Sequence, residues 1–223
     1  MDILKLIDQR KHWWKIFVLI FALSVAVVGY IGFKTYEFAP PLCSFVDEQG
    51  QEVFSGKDIT DGQQVFFSTG LMEYGSYLGD GGMRGPDFTG QALNLTAKYM
   101  NDFYEKDWVA KMPDETRRKS IVKALVQEEL KMNRYDKEFF SKKNLPEPVQ
   151  QNKGAVVLSQ GQVHAFNQMT QFYAQMFGKG GNLAGNEHFK PVDYIPDPEK
   201  TRKLTAFFYW GGWLCAAQRP GGF

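Results

Sequence analysis

The fold is organised around the stretch Gly70-Leu-Met-Glu-Tyr-Gly-Ser-Tyr-Leu-Gly-Asp-Gly-Gly-Met-Arg-Gly-Pro-Asp-Phe-Thr-Gly90. It combines seven glycines and one proline with large apolar side chains such as Leu71, Tyr77 and Phe88. Glycine permits positive φ angles and close backbone approach. A solvated linker does not need this many large apolar residues. The composition therefore predicts an ordered loop that packs on its own aromatics, or one that covers a redox cofactor or a partner subunit.

Length, charge and cysteine content exclude several classes of protein. The chain has 223 residues and a formal net charge of +1, and that length suits about one domain. Lys and Arg are scattered along the chain, so no nucleic-acid partner is expected. Cys43 and Cys215 form no CxxC pair, which excludes a thioredoxin motif or a cysteine-based zinc site. Their number leaves open one disulfide or two free thiols.

An uncharged apolar run over residues 16–33 has about the length that a bilayer core requires, roughly 18–20 residues. A cleaved signal peptide is the alternative, but its apolar region is usually shorter, about 7–15 residues. The run predicts a transmembrane helix at residues 16–36. Because Lys and Arg outnumber acidic residues before it, residues 1–15 are predicted to be a cytoplasmic N-terminus. The remainder then lies outside, which in a bacterium is the periplasm. Aromatic residues flank the run as they do at membrane interfaces, namely Trp13, Trp14, Tyr30, Phe33 and Tyr36.

The chain after the anchor has the patterns of a mainly helical domain. Two apolar pairs, Phe45-Val46 and Val53-Phe54, flank a glycine turn and predict a small hairpin. Thr60 is predicted to cap a short helix that ends near Phe67. Helical spacing, caps and breakers predict further elements: helices over residues 89–108, from Pro113 or Asp114 to Leu130, and from Ser159 to Gly178, with a short strand at residues 155–158.

A second apolar run covers residues 204–217 and is too short to span a bilayer. An isolated helix of this composition would expose a large apolar patch. The pattern therefore predicts that residues 204–223 form an apolar helix that docks on the membrane or on a partner.

The residues that could carry chemistry form no recognisable catalytic group. His12, His164 and His188 are far apart in sequence, and no HExxH or carboxylate–histidine cluster accompanies them. No CxxCH motif for covalent haem attachment is present. We therefore expect no catalytic, cofactor-binding or metal-binding residues in this chain.

Motifs spread from the anchor to the C-terminus resemble the N-terminal region of quinol-dependent nitric oxide reductases. They occur in the order of that family and are Lys34-Thr-Tyr-Glu37, Ala39-Pro-Pro41, Gly70-Leu-Met-Glu-Tyr-Gly-Ser76, Gly85-Pro-Asp-Phe-Thr89, Asn133-Arg-Tyr-Asp136, Val157-Leu-Ser159, Leu204-Thr-Ala-Phe-Phe-Tyr-Trp210 and Arg219-Pro-Gly221. The resemblance implies a mainly α fold with one N-terminal transmembrane helix and a C-terminal apolar helix. Between them, residues 37–203 would form a periplasmic, haem-less cytochrome c-like domain with a small β-hairpin.

The resemblance also assigns roles within the glycine stretch. The haem-bearing small subunit of cytochrome c-dependent nitric oxide reductases is similar and carries CxxCH just before this loop. Here Leu71, Tyr74 and Gly75 stand in for Cys, Cys and His, and bulky side chains around them would fill the haem volume. In the family the loop and the short aromatic helix face the catalytic subunit. The implied interface residues are Gly79, Asp80, Gly81, Gly82, Met83, Arg84, Pro86, Asp87, Phe207, Phe208, Trp210 and Trp213.

Members of the family continue past the Arg-Pro-Gly motif into a helical bundle that holds two b-type haems and a non-haem iron, whereas this sequence stops at Phe223. We therefore expect a non-catalytic, haem-free subunit in the bacterial inner membrane. Its partners would be the lipid bilayer and a catalytic nitric oxide reductase subunit, whose haem b and non-haem iron reduce NO to N2O, with quinol near the interface. The alternatives are a truncated remnant of a full-length enzyme and a periplasmic scaffold module of another respiratory complex.

Overall fold

The computed structural model describes residues 13–37, 39–109, 112–143, 154–178 and 194–218. The chain divides into two compact units, one covering residues 1–41 and the other covering residues 42–223. Residues 1–12 of the predicted cytoplasmic segment and residues 219–223 of the predicted C-terminal helix lie outside the described residues.

The first unit contains one long helix, α1 (Trp13–Glu37). Its residues Trp13–Tyr36 are apolar and long enough to cross a membrane, and none of them is buried within the protein. The hydroxyls of Ser24 and Thr35 donate to backbone carbonyls one turn earlier in the same helix. Because these polar groups are satisfied inside the helix, they are compatible with a lipid environment. The helix is thus a candidate membrane span, consistent with the predicted anchor.

The second unit is built mainly from helices. Within its described residues they are α2 (Gly56–Ser68), α3 (Phe88–Val109), α4 (Glu115–Lys131), α5 (Phe139–Lys142), α6 (Gln160–Phe177) and α7 (Pro198–Ala216). Helix α7 packs against α2, α3 and α6, while α4 lies against α3. The long helices predicted near residues 89–108, after Asp114 and after Ser159 are therefore observed.

Capping side chains set where the helices begin. Ser159 and Gln162 form the predicted capping box at the start of α6. The prediction that Thr60 caps the second helix is wrong, because α2 begins one turn earlier. Its capping box consists of Ser55 and Asp58, whose side chains each accept the other residue's backbone N–H. Thr60 lies inside the helix and its hydroxyl donates to the Lys57 carbonyl.

The described part of the domain also contains a small four-stranded sheet. The predicted hairpin is confirmed: β1 (Ser44–Val46) pairs with β2 (Glu52–Phe54) in antiparallel register. Two later strands extend it in the order β2-β1-β6-β5. They are β5 (Tyr135–Asp136) and β6 (Ala155–Val157), and β6 runs parallel to β1. A separate two-residue ladder, β3 (Ser76–Tyr77) with β4 (Asp80–Gly81), lies in the glycine stretch.

Helix α7 is the central helix of the domain and not an exposed apolar surface. Leu204, Ala206 and Phe208 are fully buried, and they belong to one core cluster with residues of α2, α3 and α6. The prediction that this run needs lipid or a partner to cover it is therefore wrong. The other helices of the same domain bury its apolar side chains, which removes them from water without any external partner.

Glycine allows α2 and α7 to approach each other closely. A Cβ atom on Gly62 would collide with the backbone carbonyl of Lys203 and lie 3.0 Å from the Cβ of Phe207. The carbonyl belongs to the helix backbone and cannot rotate away as a flexible side chain can. The separation of these two helices therefore depends on the absence of a side chain at residue 62.

We expect the substitution Gly62→Ala to destabilise the domain by about 1–3 kcal/mol, because an added methyl group in a packed contact forces backbone shifts. The measurement is chemical or thermal unfolding of the purified full chain in detergent. Gly90→Ala is the matched control, since a Cβ atom there would meet its nearest neighbour, Asp87 Oδ1, at an ordinary 3.5 Å. Equal destabilisation by the two substitutions would contradict the proposed role of Gly62.

Candidate functional site

The glycine stretch folds into a compact loop with defined turns. Gly70 adopts the left-handed conformation (φ 68°) and starts a 3₁₀ turn at Leu71–Glu73. Leu78 and Gly79 form the two-residue turn between β3 and β4, and both have positive φ angles of 53° and 80°. Left-handed values at both turn positions are those of the tight hairpin that matches the twist of paired strands. The stretch is therefore ordered, as its composition predicted.

Two further glycines hold the parts of the loop against each other. A Cβ atom on Gly75 would lie 2.5 Å from the Pro86 carbonyl oxygen and 2.6 Å from the ring of Phe88. A Cβ atom on Gly82 would collide with the backbone of Glu73. Side chains at these positions would push the loop apart, so glycine is required by the close backbone packing.

Asp87 ties the loop to the start of α3. Its Oδ1 accepts the N–H of Gly90 at 2.7 Å, in the manner of a helix N-cap. Its Oδ2 accepts the hydroxyl of Ser76 at 2.7 Å and the N–H of Gly79 at 2.9 Å. One carboxylate therefore joins the helix terminus to both β3 and the adjoining turn.

These contacts favour the ionised form of Asp87. Partial burial acts to raise the pKa of its carboxyl group, but the hydrogen bonds from Gly90, Ser76 and Gly79 outweigh that effect. The pKa of Asp87 therefore lies below its ordinary value. The loop is held together by a charge that is present at neutral pH.

Tyr77 connects the loop to the core helix. Its ring stacks on Phe207 with centroids 4.1 Å apart, and its hydroxyl donates to the Phe207 carbonyl at 3.1 Å. Gly211, one turn further along α7, leaves room for the phenol, because a Cβ atom there would collide with it. Burial raises the pKa of the Tyr77 hydroxyl, which therefore stays protonated and remains a donor.

Aromatic rings fill the space beneath the loop. Phe88 stacks almost parallel on Phe208 at 4.7 Å, and Phe66 meets both rings edge-on at 5.9 and 5.8 Å. Tyr173 packs on Phe208 at 5.2 Å. All four side chains are at most 1% exposed. The ring separations are typical of favourable aromatic pairs.

The residues that the resemblance places at a CxxCH motif do not fit a covalently attached haem. Leu71 is buried in the core cluster. Tyr74 is half-buried, with its ring edge-on to Tyr194 at 5.8 Å. Gly75 offers no imidazole, and the ring of Phe88 lies where its side chain would be. Neither a thiol for thioether bonds nor a histidine ligand is therefore available at this site.

Burial divides the predicted interface residues into three groups. Met83 is 100% exposed, and Gly79, Asp80, Gly81 and Arg84 are also exposed. Gly82, Pro86, Asp87 and Trp210 are half-buried. The side chains of Phe207, Phe208 and Trp213 are buried in the core, so they offer no surface for a partner. The accessible part of the predicted interface is therefore the loop, together with part of Trp210.

Sequence reasoning missed two exposed apolar residues beside this loop. Leu78 is 55% exposed at the tip of the β3–β4 turn, and Phe67 is 53% exposed at the end of α2. Leucine in the left-handed region is uncommon, since its Cβ crowds the backbone there. The pattern Tyr77-Leu-Gly-Asp80 contains a two-residue turn that could have indicated an exposed Leu78.

The two cysteines form no disulfide and lie in different environments. Cys43 is buried beside β6, and burial raises the pKa of its thiol to about 12. Cys215 is exposed near the end of α7. Of the two alternatives that the sequence left open, the structure therefore excludes the disulfide between Cys43 and Cys215.

We expect Asp87→Asn to lower the free energy of unfolding by about 1–3 kcal/mol at neutral pH, because a neutral amide replaces a charged acceptor of three hydrogen bonds. The lowered pKa means that the carboxylate stabilises the fold fully above its unfolded-state pKa of about 3.9. That stabilisation is lost as the pH falls through the folded-state value. The difference between the two proteins should therefore shrink on acidification, as measured by urea unfolding at neutral pH and near pH 3.

Asp80→Asn is the matched control, because the Asp80 carboxylate makes no hydrogen bond or ion pair with any residue that the structure describes. We expect its free energy of unfolding to equal that of the wild type at both pH values. A pH-independent effect of Asp87→Asn would show that Asp87 acts through its shape and not through its charge.

Comparison with known proteins identifies the domain. The family model of the NorB cytochrome c-like domain of nitric oxide reductase matches residues 43–222. A search of curated proteins finds no match. The matched region includes the small sheet, the glycine loop and the central helix α7. The chain therefore belongs to the family of the nitric oxide reductase NorB cytochrome c-like domain.

Proposed function

We propose that this chain is the haem-free, non-catalytic, membrane-anchored subunit of a quinol-dependent nitric oxide reductase. Family membership supports a role related to nitric oxide reductase. In the proposed complex the catalytic subunit holds haem b and non-haem iron and reduces NO to N2O. This chain is held in the bacterial inner membrane by α1, with its second unit in the periplasm and with quinol oxidised near the shared interface.

The observation that carries the haem-free assignment is the burial of Leu71 in an aromatic core at the first position of the lost haem motif. The ring centroids of Phe66, Phe88 and Phe208 lie within about 6 Å of one another in this core. A porphyrin could occupy this space only if several of these side chains were displaced. Side chains thus supply the packing that a haem would otherwise provide.

The exposed edge of the glycine loop is the proposed docking surface. It consists of Gly79, Asp80, Gly81, Met83 and Arg84, all of them exposed. The hydrogen bonds of Asp87 fix this edge before a partner arrives, so little conformational entropy is lost on docking. A fully exposed methionine next to glycines also gives a flexible apolar contact that adapts to a partner surface.

The haem-free assignment is tested by producing the full chain in cells that also mature c-type cytochromes. We expect the purified protein to show no Soret absorbance and no haem-stained band after denaturing electrophoresis. A known c-type cytochrome produced in the same cells confirms that the maturation system works. A covalently bound haem in this chain would overturn the proposal.

The docking surface is tested by purifying a tagged full chain from its native membranes. We expect a haem b-containing partner to co-purify, and Met83→Asp to reduce its recovery about tenfold, because docking would bury an unpaired charge. Met132→Asp is the control, since Met132 is 51% exposed but lies after α4, outside the loop. Recovery of the chain without any haem-containing partner, or an equal effect of both variants, would refute this interface.

A further inference from the structure

A second surface feature lies away from the glycine loop, where the β1–β2 turn faces α3 and the start of α6. It is a pocket of about 320 Å³. Its walls include Asp47 and Glu48 from the turn, Phe103 from α3, and Val163 and His164 from α6. The volume is at the lower end of the range that binds small organic molecules.

The turn gives the pocket a rigid, negatively charged wall. Asp47 Oδ1 accepts the N–H groups of Gln49 and Gln51 at 2.9 and 2.8 Å, which fixes the turn. The other carboxylate oxygen of Asp47 and the whole carboxylate of Glu48 make no hydrogen bond or ion pair with the residues that the structure describes. Lys143 donates to the backbone carbonyl of Glu48 and not to its carboxylate.

The facing wall is apolar and aromatic. The rings of Phe103 and His164 lie 5.1 Å apart and are tilted by 34°, and the side chain of Val163 lines the pocket beside them. The face of an aromatic ring attracts a cation held close to it. Residues with carboxylates and residues with aromatic rings therefore line the same pocket.

We propose that this pocket binds a small organic cation, an alkyl diamine, one of whose ammonium groups contacts Asp47 and Glu48 while its carbon chain lies on Phe103 and Val163. An anionic ligand would be repelled by the two carboxylates. A metal ion is not favoured, because the described residues contain no group of three side chains that could hold one. The site is independent of the glycine loop and of the proposed role in nitric oxide reduction.

The test is isothermal titration of the purified full chain in detergent with 1,4-diaminobutane, and with 1,4-butanediol as an uncharged ligand of the same length. We expect the diamine to bind, the diol not to bind, and diamine binding to weaken as salt is added. Absence of heat with the diamine, or equal binding of the diol, would overturn the proposal.

Variants then locate the site. Glu48→Gln should weaken diamine binding about three- to tenfold, since a charge-assisted contact is lost at a partly exposed site. Phe103→Leu should weaken it by a similar factor through loss of the ring face. Asp102→Asn is the control, because Asp102 is an exposed acid next to Phe103 that does not line the pocket. An equal loss in Glu48→Gln and Asp102→Asn would indicate general attraction to surface charge and refute the site, provided thermal unfolding confirms that each variant is folded.

Discussion

The close contact of α2 with α7 is the constraint on which the rest of the domain depends. Gly62 lies directly against the backbone of Lys203, so the two helices approach to a distance that no other residue at position 62 would allow. This contact brings Phe66 to within 5.8 Å of both Phe207 and Phe208. Tyr77 of the glycine loop stacks on Phe207, and Phe88 at the start of α3 stacks on Phe208.

The loop and the core stabilise each other through different interactions. Each fully buried phenylalanine contributes about 1.5–3 kcal/mol by removal from water, and aromatic pairs add about 0.5–1.5 kcal/mol each. Asp87 supplies directional hydrogen bonds. Its two carboxylate oxygens fix the start of α3 and the β3–β4 turn at the same time. In the described residues, aromatic side chains fill the core beneath the loop. The exposed edge of the loop is therefore held in place both by these rings and by the hydrogen bonds of Asp87.

This arrangement separates the two surfaces that we assign to function. The loop edge around Met83 is exposed, held by Asp87, and suited to a protein partner. The pocket beside Phe103 combines carboxylates with ring faces and suits a small cation.

Local patterns in the sequence determined the apolar helix α1, the β1–β2 hairpin, the capping box at Ser159 and the presence of an ordered glycine loop. Each of these depends on residues that are close in sequence, such as a cap and its third neighbour, or an uninterrupted apolar run. The prediction of a cap at Thr60 was wrong because two capping patterns start only five residues apart, at Ser55 and Thr60, and only the hydrogen bonds of Ser55 and Asp58 distinguish them. Tertiary structure alone decided where α7 lies and which roles Asp87 and Gly62 have. It also decided that Phe207, Phe208 and Trp213 are buried. The physical reason is that an apolar helix gains the same free energy by burying its surface against lipid, a partner or its own domain. Only the positions of the other helices determine whether the apolar helix is buried by lipid, by a partner or by its own domain.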